Sequence, residues 1–243
     1  MTPGADWLQR APLLTAENWP HGWTTSQGPD FKLDPSSDGH LGCVEKLVKT
    51  VGLKAGAWAR QVHGGTVLKV TEAGFAGDAD ALWSDQPGLG VIGRGADCPL
   101  ILVGAIRPDE SRVWGFAHAS WRSTVQGITA GLILALTETG ADPVKMRAVI
   151  CPSAGPCCYQ VGEDVRQAAL DSLGPGAAWF FMEKLDGVTF DLWAANIAQL
   201  TAAGLAEDNI FNLQHCTICG GNQYPSYRRE GDMAGRFAAS IGF

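Results

Sequence analysis

Leu100-Ile-Leu-Val-Gly-Ala-Ile106 is seven residues long and carries neither a charge nor a polar side chain. It is far short of the roughly 20 apolar residues that cross a membrane. It also lacks the alternation of a strand with one wet face, and reads instead as a strand buried on both faces. Something must then cover each side of its sheet, so the chain calls for a layered architecture. Other β-rich runs, separated by glycines, lie at 66–70, 89–92 and 113–117, and further strands are expected at 147–150, 210–213 and 236–243. A hairpin pairs 178–182 with 188–190 around Leu185-Asp186-Gly187. Apolar spacings of three and four predict helices from Leu41 to Val51, over 123–139 and over 161–173. A further helix over 191–203 is capped by Asp191 and closed by Gly204. Residues 27–39 read as an irregular loop. Several strands follow one another without an intervening helix, which favours a mixed-sheet α/β protein over a doubly wound one.

Composition narrows the function classes. With 46% hydrophobic and 18% charged residues, the 243-residue chain can bury enough surface to fold, and nothing in it resembles a linker between domains. Its net charge of −7 and a single adjacent basic pair, Arg228-Arg229, argue against a nucleic-acid partner. No stretch suits a membrane span and no secretory signal is readable at the start. Seven cysteines without a regular framework fit a reducing cytoplasm, where thiols serve as core residues, ligands or nucleophiles.

The chemistry-bearing residues cluster at turns and strand ends. His63 stands in Gln61-Val-His-Gly-Gly65, Cys98 just ahead of the apolar strand, and His118 between a strand and the 123–139 helix. Two histidines and a thiol with a fourth position open would suit catalytic zinc. The gaps of 35 and 20 residues match no local metal motif, and each residue taken alone is better explained as a buried thiol or a hydrogen-bonded imidazole than as a ligand. The other metal signal is Cys216-Thr-Ile-Cys219, which needs a second ligand pair. Cys157-Cys158 supplies one only if neighbouring side chains converge, so the default reading of these cysteines is plain thiols, with the 155–159 turn near a pocket. For anions, Arg122 lies at the start of a helix beside Ser123 and Thr124, and Arg228 and Arg229 adjoin Tyr224 and Tyr227, whose rings suit a base. There is no dinucleotide fingerprint and no P-loop.

Together, Gln61-Val-His-Gly, Ala79-Asp-Ala-Leu, Ala96-Asp-Cys-Pro-Leu, Ala117-His-Ala-Ser-Trp-Arg, Gly155-Pro-Cys-Cys-Tyr and Ser226-Tyr-Arg-Arg resemble the motifs of the YfiH-like family. That family is also called the multicopper polyphenol oxidase or laccase-domain family, and its members are regarded as purine nucleoside phosphorylases. The resemblance runs from about Trp58 to Phe243, with residues 1–57 divergent. It implies one domain over 1–243, of α/β (α+β) class, layered α/β/β/α with mixed sheets, the cysteine-hydrolase architecture of that family. It implies zinc on His63, Cys98 and His118. It also implies phosphorolysis of adenosine, inosine and methylthioadenosine, with adenosine deamination besides. On this reading purine nucleosides and phosphate are the partners, Arg122, Arg228, Arg229 and Tyr227 bind substrate, and Asp97 orients a ligand or moves a proton. The family has Gly at the positions of Ser120 and Ser123 and Thr at that of Gly95. Three rivals remain: a metal-free Cys–His hydrolase, for example one editing cell-wall precursors; a copper-dependent phenol oxidase; and a binding module without turnover. Five histidines are few for a multinuclear copper centre.

Overall fold

Alternation along the strands sorts the apolar side chains into two separate layers. The computed structural model describes residues 6–35 and 37–243. Within them, Leu100 and Leu102 of the Leu100–Ile106 strand enter one cluster, while Ile101, Val103 and Ala105 enter another. Neighbouring strands obey the same rule. Trp114 and Phe116 face the first cluster and Val113 and Ala117 the second, as the two-residue period requires. All residues of the strand except Ile106 are buried, as its composition predicts.

Two six-stranded sheets result. The first runs Leu8–Gln9, His21–Thr24, Phe237–Gly242, Leu89–Gly95, Ala55–Arg60, Gly74–Asp78 in spatial order. The second runs Ile210–Asn212, Arg147–Ile150, Leu100–Ile106, Arg112–His118, Ala81–Ser84, Val67–Lys69. Each mixes parallel and antiparallel pairs. The shared cluster joins Val91, Ala239 and Ile241 of the first sheet to Leu102, Phe116 and Val149 of the second, so the sheets pack face to face. The approach is close: a Cβ on Gly93 would lie 2.6 Å from the Phe116 ring. The Asp38–Val51 helix covers the outer face of the first sheet through Val44, Leu47 and Val48 against Trp58, Ile92 and Ala238. Ile128, Leu132 and Leu136 cover the second, with Leu200 of the Leu192–Ala202 helix beside them. The order is α/β/β/α with mixed sheets.

Three local expectations need correction, one of them the hairpin arm over 178–182, which is strand only from Phe181 to Lys184 because Pro175–Phe180 forms a 3₁₀ helix. The helix expected over 123–139 is two helices, Trp121–Val125 and Ile128–Thr137, broken where Gly127 takes φ +75°. The break is stabilised from outside, since Gln199 donates to the Thr124 carbonyl, which also accepts from Gly127 N–H. The next helix begins at Glu163, because Gln160–Val161 is claimed as a strand by the Gly187–Phe190 hairpin arm. Strands at His21–Thr24, Gly74–Asp78 and Ala81–Ser84 carry no pattern that marks them in the sequence; pairing with neighbours makes them strands. The described part of the divergent N-terminal stretch therefore completes the first sheet and its helical cover.

Candidate active site

The chain passes between the sheets at its chemically loaded turns. His63 follows the Ala55–Arg60 strand of the first sheet, on the way to Val67–Lys69 of the second. Cys98 lies in the crossing from Leu89–Gly95 to Leu100–Ile106. His118 ends the Arg112–His118 strand and sits opposite Leu100. The first-sheet strands involved are parallel neighbours, so their carboxyl ends lie side by side. This arrangement closes both long sequence gaps. One donor atom from each of His63, Cys98 and His118 lies within 4.8 Å of the others, and the imidazole centroids are 5.1 Å apart.

Asp80 fixes the set from behind. Its buried carboxylate accepts from His118 Nδ1 at 2.8 Å and from the backbone N–H groups of Val62, His63 and Gly64 at 3.1, 3.0 and 2.7 Å. These bonds hold the His63 turn, in which His63 itself has φ +60°. They also commit Nδ1 of His118 and leave Nε2 for the site. Burial alone would raise the Asp80 pKa, but His118 and these amides bring it below the usual carboxylate value. Burial would likewise raise the Cys98 thiol, yet the neighbouring His118 and His63 lower it to about 6. His118 moves oppositely: burial lowers it, but the Cys98 thiolate and Asp80 outweigh that and raise it to about 9. Without a metal these shifts favour the thiolate–imidazolium form of the pair at neutral pH. With one, two nitrogens and a sulfur form a donor set that fits tetrahedral zinc with one position free.

The three residues line a cleft of about 540 Å³. Five cationic side chains surround it: Lys32, Arg94, Arg122, Arg228 and Arg236. Arg122 lies 4.4 Å over the Trp121 ring, and among the described residues its guanidinium makes no hydrogen bond within the protein. Arg228 stacks on Tyr159 at 4.7 Å and donates to the Gln160 carbonyl. Concentrated positive charge in a chain of net charge −7 makes this cleft an anion-attracting region. Tyr159 and the half-exposed Tyr227 add aromatic surface.

The family model described as multi-copper polyphenol oxidoreductase laccase matches residues 42–243. This chain belongs to that family. A relative from Deinococcus radiodurans named purine nucleoside phosphorylase is 33% identical over 246 residues, covering 95% of this chain and 92% of its own length. One named adenosine deaminase RL5, from an unknown prokaryotic organism, is 32% identical over 172 residues, 70% of this chain and 64% of its own. The solved structure of YlmD from Geobacillus stearothermophilus superposes with a TM-score of 0.83 at 28% identity, over 99% of this chain and 97% of that one. The motif resemblance and the layered fold are thus both borne out.

Within this family fold, the remaining expected site residues divide. Arg122 and Arg228 line the cleft, as does Tyr227. Arg229 does not: its guanidinium donates to the carbonyls of Thr217, Gly221 and Tyr224 and pairs with Glu230, which makes it a clamp on its own loop. Tyr224 is buried between the sheets, where its hydroxyl accepts from Trp23 Nε1. The Ser123 and Thr124 hydroxyls bond to Ser120 and to the Ala119 carbonyl, so they are not turned to an anion. The helix that contains Arg122, Trp121–Val125, has only five residues, too short for the dipole argument. Asp97, at φ +87°, uses one carboxylate oxygen for Thr217 Oγ1 at 2.6 Å and the other for the Arg228 N–H at 2.7 Å. It positions the loops beside Cys98, and a carboxylate so engaged is not poised for proton transfer. Sequence reasoning assigned no role to Asp80, although Ala79-Asp-Ala-Leu carried part of the resemblance, and it missed Lys32, Arg94 and Arg236. Only their convergence on one cleft marks those three cations.

Proposed function

We propose that this protein is a zinc-dependent purine nucleoside phosphorylase that also deaminates adenosine. The observation that carries the reading is the His63–Cys98–His118 donor set on the wall of a cleft surrounded by five cations. Phosphorolysis needs a bound phosphate beside the sugar while C1′ gains positive character and the base departs. Arg122, with its donors unused inside the protein, is the first choice to hold that phosphate, and Arg228 the second. Tyr227 offers a face for the purine. His63, Cys98 and His118 would hold the ion, with Asp80 keeping His118 in the ligating tautomer. When bound, zinc supplies Lewis acidity to a water or substrate oxygen. The relatives' names agree with both activities.

The test is to incubate zinc-loaded protein with adenosine and phosphate and to separate the products. Ribose 1-phosphate equal to the sum of adenine and hypoxanthine, together with inosine, supports the reading. Absence of product from the native protein, or unchanged turnover in Cys98→Ala, overturns it.

One observation favours a second reading: Cys98, His118 and Asp80 also form a nucleophile, base and orienting acid in series. A metal-free hydrolase would have Cys98 alkylated at the same rate with and without saturating zinc. A zinc thiolate would be protected. For the copper oxidase alternative the histidines are badly placed. His21 bonds the Ala11 N–H and the Trp19 carbonyl, and among the described residues only His63 and His118 join a metal-competent group.

A further inference from the structure

A second group of soft ligands lies outside the cleft. Cys157, Cys158, Cys216 and Cys219 are all free thiols, and their Sγ atoms lie within 4.8 Å of one another. Cys157 Sγ and Cys219 Sγ are 3.6 Å apart. In a tetrahedral tetrathiolate zinc centre, a metal–sulfur distance near 2.3 Å puts the sulfurs about 3.8 Å apart. Thiols so spaced need only small rotations to reach one ion.

The backbone creates this convergence. Ser153 pairs with Cys216 across a parallel bridge, with Ser153 N–H donating to His215 and Thr217 N–H to Ser153. The chain then turns sharply, the Cys158 and Tyr159 N–H groups both reaching the Gly155 carbonyl. That turn brings the adjacent Cys157 and Cys158 to the same point. Across the bridge, the Gly155 N–H donates to Cys216 Sγ at 3.3 Å. Such an N–H group stabilises charge on a thiolate. A side chain at Gly220 would collide with the Cys216 carbonyl, so the chain just past the Cys-x-x-Cys turn requires glycine. The Lys184 ammonium donates to the Pro156 and Cys157 carbonyls, bringing a positive charge beside sulfurs that would together be strongly negative.

We propose that Cys157, Cys158, Cys216 and Cys219 bind one structural Zn²⁺, separate from the ion held by His63, Cys98 and His118. Four sulfurs complete the tetrahedron and leave no open position, the mark of a structural rather than a catalytic centre. Thiolates select against magnesium and calcium. Each thiol still protonated gives its proton to solvent on binding. The ion staples the 153–159 segment to the 215–219 turn. The first carries Tyr159, on which Arg228 stacks; the second carries Thr217, whose hydroxyl holds Asp97 next to Cys98. The staple thus fixes one wall of the cleft, whatever reaction the cleft performs.

The test counts metal on the full chain purified under reducing conditions, and then exchanges it for cobalt, whose absorption reports the number of thiolate ligands. Two ions per chain are expected. Cys98→Ser should keep one ion with the tetrathiolate cobalt spectrum intact. Cys157→Ser/Cys219→Ser should lose that spectrum and one ion, halving the metal content. If the double variant does not fold, alkylation of the native protein decides. Cys157 and Cys219 are exposed, so they should be labelled only after chelation. Labelling unaffected by chelation overturns the proposal. So does a Cys98→Ser variant without metal, copper in place of zinc, or a Cys157–Cys219 disulfide in the reduced preparation.

Discussion

Asp80→Asn keeps the size of the side chain and removes its charge. In the native protein one carboxylate oxygen accepts from His63 N–H and His118 Nδ1, and the other from Val62 and Gly64 N–H. An amide turns one oxygen into a donor, so two of these four groups lose their acceptor in either orientation. A buried donor left unsatisfied costs about 1–3 kcal/mol. The 62–64 turn is partly open to water, so the amide nitrogen should face Val62 and Gly64 and the cost should fall near about 2 kcal/mol. For a chain of this length that is a drop in Tm of roughly 4–8 °C. His118 keeps a neutral acceptor but loses the charge that raises its pKa, and the orienting partner of a ligand is weakened. Zinc affinity should therefore fall about 10- to 100-fold. Asp80→Ala, which orphans all four donors, should be worse on both counts. Thermal unfolding after chelation measures the first effect, and zinc competition against a chromophoric chelator the second. Zinc affinity within twofold of native together with an unchanged Tm in Asp80→Asn would refute the assignment of Asp80 as the residue that organises the site.

The Cys98–His118 pair gives the chelated protein two pH-dependent contributions of opposite sign. Cys98 has a folded pKa lowered to about 6 from 9.0, so its contribution is complete above pH 9 and lost as pH falls through 6. His118 has one raised to about 9 from 6.5, so its contribution is complete below pH 6.5 and lost as pH rises through 9. Between about pH 6.5 and 9 the two contributions change with opposite slopes and nearly cancel, so denaturation of chelated native protein should depend little on pH in that window; a steep profile there would contradict the pair. Arg122→Ala should raise the KM for phosphate by about 10- to 100-fold, the value of one or two charge-assisted hydrogen bonds, with a smaller change in kcat. Steady-state kinetics with phosphate varied reads this directly, and an unchanged KM would move the anion to Arg228. Gly93→Ala should cost about 1–3 kcal/mol in urea denaturation, because the added methyl group meets the Phe116 ring between the sheets. A neutral result would mean that the sheets separate more easily than their packing suggests.

Local pattern determined a good deal. The unbroken apolar run of Leu100–Ile106 required cover on both faces, and both covers exist. The 41–51 part of the Asp38–Val51 helix and the Asp191 cap were legible because periodicity and capping are properties of neighbouring residues. His63, Cys98 and His118 stood out by residue type and by their places at turns and strand ends. Six ordered motifs pointed to the family that the wider match bears out.

What the sequence could not determine was distance across the fold. Residues 35 and 20 positions apart meet because two parallel strands of the first sheet end side by side, and in the second sheet the strand ending at His118 pairs antiparallel with the one that Cys98 leads into; pairing of that kind leaves no local pattern. For the same reason Arg229, which looks like Arg228 on paper, turns into its own loop, while Arg94 and Arg236, although also held by backbone carbonyls, line the cleft. Asp80 is one acid among many until four donors surround it. The Cys-x-x-Cys turn is a weak signal until a backbone bridge carries it to Cys157 and Cys158. Residue types decided which chemistries were available, and tertiary pairing decided which groups come within bonding distance to use them.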